Sequence, residues 1–340
     1  MRGLAIGAVG AFSSVGLNAP QTMSSLQARM QRFEALEVED EEGEPITGAP
    51  TPLPREVRGA ARLVAMAQEA LAECARGWER EPAPVLLCCP DGQWGAPAPE
   101  EVLDALAQEA GVLVHRRLSR VFVAGHAAVV EALQEARRLF HAHEIRTCYL
   151  GGVDSLVEPD RLAALVEQDR VKRDGNPFGI IPGEGAAFLR LELVRNSAPR
   201  PCVEGLGLAK ANELGAGFSG GFALERALKA ALADAGAEVR EAVCLAHDGT
   251  GQRRPAQDLA VAVARLGVAR EQAFDLWDVA TCVGETGAAA GPLSIGYFAF
   301  AMGRGRLAPG ALFSGSSENG LAGAVFVRAP REKEEVHHGR

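Results

Sequence analysis

The chain carries one series of elements twice, and this duplication restricts it to folds assembled from two like halves. The first half reads as a glycine-dotted apolar strand at Leu4–Phe12, a helix at Val57–Ala75 and a buried strand at Pro84–Cys89 ended by Pro90-Asp-Gly92. A helix at Pro99–Ala110, a strand at Arg120–Val123 and a helix at Ala127–Phe140 follow. A strand at Thr147–Leu150, ended by Gly151-Gly-Val-Asp-Ser155, and a closing strand at Gly185–Leu193 complete the half. The second half repeats the order: strand Cys202–Leu208, helix Phe222–Ala235, strand Ala242–Ala246, helix Pro255–Leu266, strand Phe274–Val279, helix Ala288–Met302, and strands Ala311–Ser314 and Ala322–Arg328. Strands that are continuously apolar and alternate with helices predict largely parallel or mixed sheets covered on both faces. The expected units are residues 1–195 and 200–328, with Arg195–Arg200 as linker and a disordered charged tail at 329–340.

Two small-residue turns, Val123-Ala-Gly-His-Ala-Ala-Val129 and Cys282-Val-Gly-Glu-Thr-Gly-Ala-Ala-Ala-Gly291, each deliver one polar side chain to the start of an apolar helix. These are His126 and Glu285, read as occupying matching places in the two halves. A helix start offers unpaired N–H groups and partial positive charge, suited to a carbonyl, an anion or an activated nucleophile. The run Gly287-Ala-Ala-Ala-Gly291 lets another backbone approach closely. The helices Ala127–Phe140 and Ala288–Met302 are therefore predicted to lie buried between two sheets. His247 follows a third core strand. His126, His247 and Glu285 all stand at C-terminal strand ends, where α/β sheets bind ligands, and are predicted to converge in one pocket as the catalytic set. Gly125 and Gly284, which flank the two delivered side chains, are expected to contact substrate there.

A formal net charge of −9 argues against nucleic acid or an anionic membrane as the main partner. No apolar run reaches the roughly 18 residues needed to span a bilayer. The glycine-broken start Met1–Phe12 reads as a first strand rather than a signal peptide. The seven cysteines include no CxxC pair. They read as reduced buried thiols of a cytoplasmic protein, with Cys244 and Cys282 inside strands. No metal or other cofactor is expected; His337-His338 reads as a solvated tail, and Gly249-Thr-Gly251 is too short for a phosphate loop. Trp78 and Trp94 read as packing or interface residues. Asp154 is read as a turn or cap residue, and Glu184 as a central partner of Arg173 or Lys172.

The segments Gly10-Ala-Phe-Ser-Ser-Val-Gly-Leu17, Gly151-Gly-Val-Asp-Ser155, Lys172–Ala187 with its Pro182-Gly-Glu-Gly-Ala-Ala187, Ala246-His-Asp-Gly-Thr-Gly251 and Gly284-Glu-Thr-Gly-Ala-Ala-Ala-Gly291 occur in an order that resembles the thiolase-like superfamily, and within it the β-ketoacyl synthases. The resemblance covers residues 1–330, with a poor match over 35–115. It implies a five-layer αβαβα sandwich that pairs as a dimer and works through a cysteine nucleophile, two histidines and a lysine. His126 stands at the cysteine position, Glu285 at that of the second histidine, and Ala280 near the lysine. His247 matches the remaining histidine, with Asp248 where the family has glycine. Gly315-Ser-Ser-Glu-Asn-Gly320 resembles the closing loop, whose backbone N–H groups line the site, which implies that Ser316 and Ser317 contact substrate.

Condensation needs a thioester-forming thiolate and donors for a developing enolate. An acyl-imidazole on His126 would hydrolyse, and an ionised Glu285 would repel the enolate. The expected function is thus a ketosynthase-like protein of fatty-acid or polyketide-type metabolism that is not a standard condensing enzyme. It is either a divergent acyl transferase or hydrolase, or a non-condensing partner subunit. The alternative is a purely structural protein that heterodimerises with an active ketosynthase. Acyl thioesters or an acyl carrier protein are the expected partners, with a homodimer or a heterodimer with a ketosynthase as the assembly. A His126–Glu285 pair could orient a general base, or be a hydrogen bond that plugs a dead site.

Overall fold

The computed structural model describes residues 3–90, 96–142, 144–194, 200–211, 219–249, 251–267 and 274–330. Trp94, Thr250, most of the expected linker and the tail from 331 onward, with His337 and His338, lie outside them. The elements of the first part are β1 (Leu4–Ser13), α1 (Ala19–Gln27), β2 (Glu34–Glu39), β3 (Pro45–Gly48), α2 (Gly59–Cys74), β4 (Val85–Cys88), α3 (Pro99–Glu109), β5 (Arg120–Phe122), α4 (Ala128–His141), β6 (Thr147–Ser155), α5 (Pro159–Glu167) and β7 (Glu184–Leu193). The second part comprises β8 (Cys202–Lys210), α6 (Ser219–Ala235), β9 (Ala242–His247), α7 (Arg253–Arg265), β10 (Asp275–Trp277), α8 (Ala280–Val283), α9 (Ala290–Met302), β11 (Gly310–Ser316) and β12 (Leu321–Arg328).

The strands run β10-β9-β11-β12-β8-β1-β7-β6-β4-β5. The halves join where Leu4 and Ala5 pair antiparallel with Val203 and Cys202. Outward from that seam the arms have the same sequence of senses. β1 pairs antiparallel with β7, β7 antiparallel with β6, and β4 parallel with both β6 and β5. On the other side β8 pairs antiparallel with β12, β12 antiparallel with β11, and β9 parallel with both β11 and β10.

Successive side chains of a strand face opposite ways, and the apolar runs use both faces. In β4, Val85 and Leu87 pack toward α2 and α3, while Leu86 and Cys88 pack toward α4. In β9, Leu245 joins α6 and α7, while Cys244 and Ala246 face the central layer. That central layer is α4 and α9, giving an αβαβα sandwich. Helix α9 is apolar on all sides, as a fully surrounded helix must be, and Gly291 of α9 lies against Val129 of α4: a Cβ there would sit 2.6 Å from Val129 Cγ1.

Several sequence expectations need adjustment. The hairpin β2–β3 and helices α1 and α5 were not anticipated. Leu36 and Val38 of the hairpin pack with Ile46, Leu162 and Leu165 in a small satellite core, so the hairpin's apolar positions were masked by the charges between them. Gly151–Ser155 continues strand β6 instead of ending it, because Gly151 and Gly152 admit Phe188 and the backbone of Ala288 at distances no side chain would allow. Cys282 sits in the short helix α8, not in a strand.

Glu184 pairs with neither Arg173 nor Lys172. Arg173 bonds Asp169 at 2.9 Å on the surface. The partner of Glu184 is Arg62 of α2, whose Nε and Nη2 donate to the two carboxylate oxygens at 2.7 and 2.6 Å. Thr51 N, Thr51 Oγ1 and Ser155 Oγ donate to the same carboxylate, each at 2.7 Å. Arg62 Nη1 donates to the carbonyls of Pro54 and Val57. Glu184 is fully buried and Arg62 nearly so. Removing one partner of such a pair strands the other charge out of water. Arg62→Met is expected to lower unfolding free energy in urea by about 3–5 kcal/mol; a loss below about 1 kcal/mol would assign the pair no structural weight.

Candidate active-site pocket at the junction of the halves

Each central helix starts with one tight turn, Gly125–Ala127 before α4 and Gly287–Ala289 before α9. Gly125 and Gly287 open these turns with φ of 51° and 48°, a left-handed conformation suited to glycine. A Cβ on Gly287 would also lie 2.0 Å from Asp154 Oδ2. In this register the counterpart of His126 is Ala288, and Glu285 lies three residues ahead of it. The sequence reading that placed His126 and Glu285 at matching positions is therefore corrected. His126 rides the first turn of one helix, and Glu285 precedes the first turn of the other.

The offset brings them together. His126 Nε2 and Glu285 Oε1 are 2.8 Å apart. Glu285 Oε1 also accepts from Gly287 N at 2.6 Å. The Glu285 backbone is pinned to the loop before β7, donating to Ile181 O at 2.7 Å and accepting from Gly183 N at 2.9 Å. Gly284 makes that turn possible with φ of 69°. On the other side of the ring, His126 Nδ1 faces Asp248 Oδ2 at 3.7 Å. Burial works against an imidazolium, but Glu285, Asp248 and Asp154 outweigh it and push the His126 pKa up to about 10. Burial likewise works to raise the Glu285 carboxyl, but His126 and the Gly287 N–H hold it below its usual 4.5. The ring is thus a cation with both nitrogens protonated at neutral pH and has no lone pair with which to take a proton.

The N–H groups at the helix starts are occupied as well. Ala127 N donates to Ser317 Oγ at 3.2 Å, and that hydroxyl in turn donates to Ala124 O. Ala288 N donates to Asp154 Oδ2 at 3.0 Å. Asp154 Oδ1 accepts from Ser155 N and from Arg161 Nη1 of α5. Ser316 N donates to Asp248 Oδ2. Of the four residues expected to contact substrate, Ser316 and Ser317 thus spend these groups on internal partners, and Gly125 and Gly284 serve as turn formers.

His247 ends β9 and adjoins His126 and Glu285 through Asp248, the next residue in the chain. Its Nδ1 accepts from Gly249 N at 2.8 Å, so the neutral ring carries its proton on Nε2. Burial lowers its pKa against the pull of Asp278 and Asp248. Ala280, at the lysine position of the resemblance, opens α8 and offers no titratable group. Burial pushes Cys282 up to about 11 and Cys244 up to about 12, away from thiolate chemistry. Among the described residues no group of His, Cys, Asp and Glu is arranged to hold a metal ion, and no helix is long and apolar enough to cross a membrane. Sequence reasoning missed the roles of Asp248 and Arg161. The signal for Asp248 was its departure from glycine directly after a strand-ending histidine; Arg161, in an unanticipated helix, gave none.

No family profile and no curated protein matches the sequence. Solved structures do match in shape. The ishigamide ketosynthase/chain length factor superposes with a TM-score of 0.78 at 17% identity, covering 97% of this chain and 100% of that one. A type II polyketide synthase acyl-carrier protein in complex with its ketosynthase bound to the hexaketide gives 0.77 at 13% identity, covering 97% and 100%. A ketosynthase in complex with its chain length factor from Xenorhabdus doucetiae gives 0.75 at 15% identity, covering 96% and 98%. The chain has the thiolase-like ketosynthase fold.

The His126–Glu285 pair sets a pH dependence with a definite sign. His126 is raised in the folded state, so its contribution is complete below the ordinary value of 6.5 and is lost as pH climbs through about 10. Glu285 is depressed, so its contribution is present above 4.5 and is lost as pH falls through its lowered value. Urea unfolding of the wild type and of His126→Gln should therefore show a stability gap that narrows steadily from pH 6.5 to 10. A gap independent of pH over that range would contradict an ionised pair.

Proposed function

We propose that this chain is a non-condensing partner subunit, paired with an active ketosynthase in fatty-acid or polyketide-type metabolism. The observation that carries this reading is the occupation of the pocket by its own groups. His126 is a paired cation at the nucleophile position, Glu285 is an anion at the position of an enolate donor, and Ser317 and Asp154 cap the two helix starts. The divergent transferase or hydrolase reading needs His126 as a base, and its two carboxylate neighbours work against that. Solved proteins of this fold include a ketosynthase complexed with its chain length factor and one complexed with an acyl-carrier protein. Strands β5 and β10 end the sheet within the chain, and an open edge favours pairing with another subunit.

The test combines intact mass measurement with assembly. Incubation with acyl-carrier thioesters should leave the chain's mass unchanged, and co-expression with a condensing ketosynthase should yield a stable mixed dimer. An acyl adduct on Cys244, Cys282 or His126 would overturn the reading in favour of an enzyme. His126→Ala should change no transfer or hydrolysis rate while costing about 1–3 kcal/mol of stability, as expected when a buried polar partner is left unsatisfied. A variant that loses a measurable acyl-transfer rate at unchanged Tm would support the catalytic alternative.

A further inference from the structure

A backbone amide and an imidazole ring from different parts of the chain face a single oxygen in the pocket, the first as a hydrogen-bond donor and the second as a charge at ion-pair distance. Ser316 N, at the end of β11, donates to Asp248 Oδ2 at 2.5 Å, and His126 Nδ1 faces the same atom at 3.7 Å. The amide is fixed by the β11–β12 hairpin, in which Ser316 is held opposite Ala322. The ring is fixed by Glu285 on its far side. The Asp248 side chain is 10% exposed, so the oxygen is sheltered yet not sealed off. Gly315 keeps the geometry tight, since a Cβ there would lie 2.9 Å from both Cβ and the carbonyl oxygen of His126. Groups held in place by other contacts do not need the carboxylate in order to stay aimed at that point.

We propose that the Ser316 N–H and the charge of the His126 ring form a carboxylate-binding site that the chain fills with its own Asp248, and that a small external carboxylate takes the same place when the Asp248 carboxylate is withdrawn. The internal group competes with any ligand as a tethered occupant, whose effective concentration far exceeds that of a free anion. Burial pushes the Asp248 carboxyl up against the opposing pull of His126 and the Ser316 N–H. The stopper is therefore held by those groups while its surroundings disfavour its charge. The titratable groups facing it are His126, Glu285 and His247. The inference concerns this pocket alone and does not rest on the partner-subunit reading.

Asp248→Ala removes a group the size of formate, and Asp248→Gly one the size of acetate. Formate is expected to raise the Tm of Asp248→Ala saturably, and acetate that of Asp248→Gly, with chloride at equal ionic strength giving no such rise. The Ser316 amide and His126 ring resonances should move along the same titration. Wild type and Asp248→Asn, whose side-chain oxygen still fills the position, should not respond. If Asp248→Ala does not fold unaided, formate in the refolding buffer should restore folded protein. The proposal is overturned if formate neither binds nor restores the alanine variant, if chloride acts equally, or if Asp248→Asn responds as strongly.

Discussion

The two halves hold each other's central helices by their first turns, and the site depends on that exchange. Asp154, at the end of β6 in the first half, accepts from Ala288 N at the start of α9 in the second. Ser317, just beyond β11 in the second half, accepts from Ala127 N at the start of α4 in the first. A buried helix start without acceptors leaves several N–H groups unsatisfied. Here each half supplies the other's missing partner. Arg161 neutralises the Asp154 carboxylate, so a charged cap is held in the interior beside a cation. The His126–Glu285 pair then closes the gap between the two caps.

This exchange also explains why the pocket reads as occupied. The fold aims two helix starts and two strand ends at one point, an arrangement able to stabilise negative charge. In this chain the negative charge is built in, on Glu285, Asp248 and Asp154. His126 and Arg161 supply two positive charges against these three carboxylates, so most of the negative charge is compensated within the chain. The seven cysteines are buried or partly buried, and none stands in the first turn of either central helix, where the pocket lies.

The first half holds a second polar centre of a different kind. Glu184 takes five hydrogen bonds from Thr51, Ser155 and Arg62, tying the segment before α2 to strands β6 and β7. Glu184 belongs to the Pro182–Ala187 segment, the same segment whose Gly183 accepts the close approach of the Val283 carbonyl, 2.0 Å from where a Cβ would lie. One short stretch thus anchors the ion pair of the first half and the backbone of Glu285. Stability and site geometry are linked through it.

The sequence by itself determined the duplicated order of elements, the two-faced burial of the strands and the presence of His126, Glu285 and Ala280 in the small-residue turns and short helix around the pocket. These follow from local periodicity, from small residues at turns and from residue identity. Only the tertiary structure decided who meets whom. Glu184 finds Arg62 across 122 residues instead of its near neighbours Lys172 and Arg173. His126 meets Glu285 across 159 residues despite a three-residue offset between the helix starts. Asp248 passed as a mere departure from glycine until β9 and β11 lay side by side and brought Ser316 N to its carboxylate. Such contacts are set by the register of parallel strands and the angle at which one half packs on the other. Neither leaves a trace in the local run of residues, because side-chain pairing across the seam depends on where the backbones end and not on local propensity.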